Sequence, residues 1–151
     1  MTRANGIGSA ARGSVLGVDY GEHRLGLAVG DLALGIAHPL TTLQADSDRM
    51  RLQLLEPLIQ EWKPVLVVVG LPMHMDGRAH PLSERCRRFA QKLARRFGVE
   101  ARMLDERLTS HAAEQALAEA GVPVHRRKPV LDQVAAQAIL ETFFETNDHA
   151  A

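Results

Sequence analysis

The sequence predicts an α/β fold on a mixed five-stranded sheet, three antiparallel strands followed by helix-linked parallel strands, with helices on both faces. Three observations predict it. Two short apolar stretches, Val15 to Tyr20 and Leu25 to Val29, flank a Gly-Glu-His turn and suit an antiparallel hairpin. The run VLVVVG, Val65 to Gly70, is continuously apolar and ends in glycine, the pattern of a parallel strand covered on both faces. Overall the element order reads β-β-β-α-β-α-β-α-α, in which helices separate the later strands as parallel pairing requires.

The elements follow in order. Residues 1–14, MTRANGIGSAARGS, carry basic residues without the apolar stretch of a secretory signal and are expected to form a tail. After the hairpin, Gly35 to Leu43 gives a third strand whose Pro39 suits an edge position. A helix is expected from Ser47 to Lys63, capped by Asp46 or Ser47, with Pro57 kinking or breaking it. The Val65–Gly70 strand leads into a Pro/Gly/His-rich loop, LPMHMDGRAHP. Ser83 to Phe97 is amphipathic and stops at Gly98. Val99 to Glu106 is the last strand, and Thr109 or Ser110 caps a helix to Ala120, closed by Gly121 and Pro123. A basic loop, HRRKP, precedes a final helix from Leu131 to Phe144, and the remaining ETNDHAA is expected to fray. One domain, residues 15–145, with a short tail at 146–151, accounts for the 151 residues.

Composition narrows the class. Lys plus Arg and Asp plus Glu number 18 each, so overall charge gives no prior for nucleic acid and any such case rests on local clusters. The single cysteine, Cys86, allows no intramolecular disulfide and fits a reducing compartment, the cytoplasm. No apolar run approaches the roughly 18 residues of a membrane span.

Three carboxylates stand in unusual places. Asp19 lies within an apolar strand, on the side of Val15 and Gly17. It either closes the turn at Gly21 or serves a site. Glu106 ends the last strand, with Asp105 facing the other way. The two are either a solvated pair or part of a site, and Arg107 could neutralise either acid. Asp132 falls within the apolar stripe Ala135, Ala136, Ile139, Leu140 and Phe143, while Gln133, Gln137 and Glu141 take the opposite side. The helix therefore points Asp132 toward the sheet, unless it serves only as a cap. If the first strand is central, all three acids meet at one end of the sheet. Three carboxylates cannot crowd together as bare anions, so one keeps its proton or a cation sits among them. Carboxylate oxygens suit hard ions, Mg²⁺ or Mn²⁺, and two such ions about 4 Å apart activate water in phosphodiester cleavage.

Four motifs now stand in order: GVDYGEHRLGLAVGD, VVVGLPMHMDG, RRFGVEARMLDERLTS and KPVLDQVAAQAILETFFE. Together they resemble the YqgF family, also called RuvX, of ribonuclease H-like proteins, from about Val15 to Glu145. The resemblance implies the ribonuclease H fold. It also implies a metal-dependent nuclease, described either as maturing the 5′ end of 16S ribosomal RNA or as resolving Holliday junctions. The family's acidic positions fall on Asp19, Glu106 and Asp132. The family's loop is commonly Asn-Met-Asp-Gly, and here His74 replaces the Asn of HMDG. That loop, with His74, Asp76 and Gly77, is expected to move to admit substrate.

Basic residues supply candidate phosphate contacts. Arg85, Arg88, Lys92, Arg95 and Arg96 form one stripe of the Ser83–Phe97 helix, with Glu84 as the nearby acid. Arg126, Arg127 and Lys128 precede Asp132, Arg24 follows the first turn, and Arg107 adjoins Glu106. No aromatic platform supports base stacking, so recognition by backbone and shape is expected. The expected partners are precursor ribosomal RNA, ribosomal particles or branched DNA, with no membrane. Junction resolution needs two coordinated cuts and hence a symmetric dimer. No surplus apolar helix face demands one, and a monomer or weak homodimer is expected. Two rival readings stand beside the nuclease. Gly17, Gly21 and Gly26 are similar to the phosphate-binding turn of actin- and hexokinase-like ATPases, which need a second lobe. A non-catalytic RNA- or ribosome-binding module is the other.

Overall fold

The computed structural model describes residues 12–74, 76–78, 80–109 and 129–150. Beyond Thr109, the expected helix capped by Thr109 or Ser110 and reaching Ala120 lies outside the described residues, as does the basic loop with Arg126, Arg127 and Lys128.

The chain forms β1 (Ser14–Tyr20), β2 (Arg24–Asp31), β3 (Ile36–Gln44), α1 (Asp48–Trp62), β4 (Leu66–Leu71), α2 (Ser83–Phe97), β5 (Glu100–Asp105), a 3₁₀ turn (Glu106–Leu108) and α3 (Pro129–Ala150). The sheet order is β3-β2-β1-β4-β5, so β1 is central. It pairs antiparallel with β2 and parallel with β4. Pro39 lies on the edge strand, where the β2–β3 register shifts at Leu27/Ala28, and there its missing N–H breaks no ladder interior.

Two departures from the sequence expectations have local causes. Helix α1 continues through Pro57. Pro57 and Gln53, whose carbonyl loses its helical donor, are both exposed, so water can satisfy that carbonyl while Leu52 and Leu55 stay buried in the core. Helix α3 extends to Ala150 instead of fraying after Phe144. Phe144 is buried, and Thr146 Oγ1 donates to the carbonyls of Thr142 and Phe143, which ties the next turn back onto the helix.

The sheet separates two apolar layers. Leu16, Val18 and Tyr20 of β1 pack with Leu52 and Leu55 of α1 and Cys86, Phe89 and Leu93 of α2. On the other face, Val15, Ala28, Leu66 and Val68 pack with Ala136, Ile139, Leu140 and Phe143 of α3. Alternation along β1 therefore places Gly17 and Asp19 on the α3 side.

Helix α3 lies close to the sheet because the strands beneath it carry glycine. A Cβ at Gly17 would stand 2.6 Å from Leu140 Cγ and 2.8 Å from the Ala136 carbonyl oxygen, and one at Gly30 would stand 2.9 Å from Phe144 Cζ. A Cβ at Gly26 would collide with the carbonyl group of Asp132.

In the opposite layer, Arg51 is fully buried. Its Nη2 donates to the carbonyls of Gly21 (2.9 Å) and Glu22 (2.7 Å), its Nη1 to Asp48 Oδ1 (2.9 Å), and its guanidinium lies 4.6 Å from the Tyr20 ring centre. One side chain thus anchors the β1–β2 turn to the start of α1.

Two substitutions test these contacts. Arg51→Met keeps the apolar stem but leaves two carbonyls without their donor and Asp48 without this counter-charge. Denaturant unfolding should show a loss of about 3 kcal/mol. Gly26→Ala forces a methyl against helix backbone that cannot swing aside, and the same measurement should show a loss of about 1–3 kcal/mol. A stability equal to wild type for Gly26→Ala would mean that α3 does not sit this deep.

Candidate active site

Asp19, near the end of the central strand, is in register with Gly26 of β2 on one side and Gly70 of β4 on the other. Cross-strand partners share a face, so all three positions look toward α3. Above Gly26 sits Asp132, whose Cβ lies 2.7 Å from the point a Gly26 Cβ would occupy. Above Gly70 sits Glu106, whose Cγ and Cδ lie 2.9 and 3.2 Å from the corresponding point. Neighbouring strands are about 4.8 Å apart, so the row from β2 to β4 is roughly 10 Å wide. Three acids far apart in the chain thus meet on one row, the outer two over residues that have no side chain.

Each acid is placed by a different element. Asp19 is half-buried on β1. Glu106 is only 6% exposed and begins the 3₁₀ turn, which returns its side chain to the face that Asp105 leaves. Asp105 pairs with Leu71, next to the Gly70–Leu104 pair, and so faces the other layer. Asp132 lies in the first turn of α3, inside the helix, so it is no N-cap. Ala135, Ala136, Ile139, Leu140 and Phe143 are all buried, as the apolar stripe requires.

Electrostatic partners sort the neighbouring charges. Arg107 takes Asp105, with Nη2 to Oδ2 at 2.6 Å and Nε 3.1 Å from both oxygens. That hydrogen bonding holds the Asp105 carboxyl below its usual range, against the opposing effect of burial. Arg107 therefore serves Asp105 and not Glu106, an alternative the sequence left open. Arg24 Nε lies 2.7 Å from Asp132 Oδ2. Below Gly70, in the other layer, Cys86 Sγ donates to the Gly70 carbonyl at 3.3 Å. Burial drives this thiol far above its usual range, and the charges of Glu106 and then Asp19 add to the effect. The fields of two acids are thus felt at one point under the row.

The donor set is carboxylate oxygen throughout, which fits a hard divalent cation. Asp132 Oδ2 is out of solvent and receives no aligned hydrogen bond among the described residues. Among those residues, no three His, Cys, Asp or Glu side chains are already drawn close enough to cage an ion. The backbone assembles the acids, while Asp132 rests against a guanidinium.

The basic stripe of α2 lies elsewhere. Its helix packs in the layer opposite Asp19, and four of its cations have acidic partners. Arg85 is 3.8 Å from Glu22, Arg88 is 3.4 Å from Glu84, Lys92 is 3.2 Å from Asp48 and Arg96 is 2.9 Å from Glu56. Acids from α1 and the first turn join Glu84 in offsetting the stripe, a compensation invisible within α2 alone.

The loop after β4 folds back on itself near the acids. His74 exchanges backbone hydrogen bonds with Gly77 and Arg78, and Asp76 holds the backbone and guanidinium of Arg78. Gly77 has φ +92°, and a Cβ there would lie 3.3 Å from Arg107 Nη1, so the loop passes beside one end of the Arg107 guanidinium. In the sequence Gly70 has no role beyond ending its strand, and Gly26 figures there only in the rival ATPase reading. Glycine inside a strand is the signal that marks close approach of another group.

A family model described as "RuvX: Holliday junction resolvase" matches residues 13–146. Several curated relatives bear the name "Putative pre-16S rRNA nuclease". That of Chromobacterium violaceum is 55% identical, covering 84% of this chain and 93% of its own, and that of Nitrosospira multiformis is 48% identical with 96% of both chains covered. Among solved structures, Thermus thermophilus RuvC in complex with a Holliday junction substrate aligns with a TM-score of 0.57 at 18% identity, covering 91% of this chain and 97% of that one. The fowlpox virus Holliday junction resolvase aligns with a TM-score of 0.54 at 11% identity, covering 88% and 99%. These likenesses show the ribonuclease H-like resolvase fold that the strand order requires. With its fold, its row of acids and the family match spanning nearly its whole length, the chain belongs to the RuvX family.

Proposed function

We propose that this chain is a divalent-metal-dependent nuclease that hydrolyses phosphodiester bonds in precursor 16S ribosomal RNA in the cytoplasm, with Asp19, Glu106 and Asp132 as its catalytic acids. The row Gly26–Asp19–Gly70 carries that reading: it clears side chains from both flanks of a central carboxylate and seats the other two carboxyl-bearing residues over the gaps. Glu106 is buried and Asp132 is largely shielded, so their carboxylates sit where a bound cation would be held strongly.

Asp19, Glu106 and Asp132 would hold the ions, Mg²⁺ or Mn²⁺. Bound there, such ions supply Lewis acidity, making water a better nucleophile and offsetting charge that builds on the phosphate and the leaving oxygen. The chain's own part is placement. Asp19 is fixed by ladders on both sides. Glu106 is fixed by the 3₁₀ turn, and Asp132 by a helix whose positive end favours an anion. Cleavage would leave a 5′-phosphate and a 3′-hydroxyl. Arg24 and Arg107, with Arg126, Arg127 and Lys128 just ahead of Asp132 in the sequence, would take backbone phosphates. Displacement of the Pro72–Pro81 loop from Arg107 would open that contact.

The names of the curated relatives favour ribosomal RNA as substrate. The description of the family and the likeness to RuvC favour a second reading, Holliday junction resolution, which requires a symmetric dimer. Purified protein, with and without Mn²⁺, on labelled 16S precursor and on a four-way DNA junction in parallel separates the two. RNA cleavage that depends on Mn²⁺, with the junction left intact, is the expected result. Asp19→Asn should abolish that cleavage while keeping the folded circular dichroism spectrum and an unfolding midpoint at or above wild type. Wild-type cleavage by this variant would remove Asp19 from the mechanism.

A further inference from the structure

Arg24 occupies a position between two environments. Its Nε is 2.7 Å from Asp132 Oδ2, and the two side chains are 34% and 14% exposed. The carboxylate oxygen it approaches receives no aligned hydrogen bond among the described residues, so the contact lacks the two-pronged geometry of a strong arginine–carboxylate pair. The same residue lines an open cavity of about 430 Å³ beside the start of α1, together with His23, Gln44, Asp46 and Ser47. The guanidinium thus borders both the shielded acid and the open cavity.

We propose that Arg24 is a built-in counter-cation for Asp132 that competes with the divalent ion. It neutralises the carboxylate while the ion is absent. When the ion takes Asp132, like charge drives the guanidinium into the cavity, where it meets a backbone phosphate of the nucleic acid strand. The inference rests on the metal-site reading given above. Metal binding and nucleic acid binding are then coupled through one side chain, and each raises affinity for the other. A purely structural arginine would behave differently, because removing it would weaken both.

The decisive measurement is the Mn²⁺ affinity of the full chain, read from the electron paramagnetic resonance of free Mn²⁺, for wild type, Arg24→Gln and Arg24→Lys. Arg24→Gln should bind Mn²⁺ about tenfold more tightly than wild type, and Arg24→Lys should stay near wild type. With Mn²⁺ bound, Arg24→Gln should bind a single-stranded RNA oligonucleotide several-fold more weakly than wild type, and the gain in RNA affinity that Mn²⁺ gives the wild type should shrink. Mn²⁺ affinity in folded Arg24→Gln equal to or below wild type overturns the competition and leaves the metal site standing. No Mn²⁺ binding by any of the three proteins overturns both. A second measurement needs no variant. The Arg24 Nε–H nuclear magnetic resonance signal of the wild type should shift as Mg²⁺ is added, and an unmoved signal at saturating, demonstrably bound Mg²⁺ overturns the proposal.

Discussion

Helix α3 comes closest to the sheet where the strand residues beneath it lack side chains. Asp132, Ala136, Leu140 and Phe144 recur every four residues and form one ridge of the helix. Gly26 meets the first, Gly17 the second and third, and Gly30 the fourth. A polar member of that ridge is therefore held at the same depth as its apolar members. This explains how a carboxylate comes to sit in line with a hydrophobic stripe. The contacts that bury Ala136 and Leu140 also place Asp132 over the row containing Asp19. The core and the site share one packing surface, and neither can be altered alone.

The other layer contributes from behind the sheet. Arg51 holds the carbonyls of Gly21 and Glu22, and Asp48 ties it to Tyr20 and to Lys92 of α2. The turn fixed in this way follows Asp19 and leads directly into Arg24. Burial first, and then the nearby Asp48, hold the Tyr20 phenol above its usual range against the opposing charge of Arg51. The result is a neutral hydroxyl that donates to Asp48 under the β1–β2 turn. This cluster behind the sheet thus sets the turn that joins Asp19 to Arg24.

Much of this was legible in the sequence, where pattern and period coincide. Helix α2 runs from Ser83 to Phe97 as expected, because its apolar stripe is sharp and Gly98 adopts the left-handed conformation (φ +64°) that ends it. The inward direction of Asp132 followed from the period of α3, while the central place of β1 stood in the sequence only as a condition, which the strand order meets. Effects that depend on partners distant in the chain were not legible. Arg51 looked like any helix arginine, because its partners are backbone carbonyls 29 and 30 residues earlier. Pro57 looked like a breaker, because exposure on one helix face cannot be known before the helix is packed. Gly17, Gly21 and Gly26 were similar to a phosphate turn. Contact with α3 accounts for Gly17 and Gly26, and the turn carbonyl of Arg24 for Gly21.

The charge distribution follows the same logic. With as many acids as bases in the chain, any field at the site must come from how charges are partnered and not from their total. Adjacent acids show this at the end of β5. Alternation turns Asp105 toward one layer, where Arg107 takes it, and the 3₁₀ turn sends Glu106 to the other. Had Arg107 been on Glu106, its guanidinium would stand over Gly70 on the α3 side. On α2, most of the basic stripe is absorbed by carboxylates of α1, of the first turn and of its own helix. That neutralises the layer behind the sheet without supplying cations to the layer in front. Pairing within that layer therefore leaves the α2 stripe on the opposite face of the sheet from Asp19. For Asp132 the chain supplies one of its own cations, and Arg24 is the one cation of the first hairpin placed to serve it.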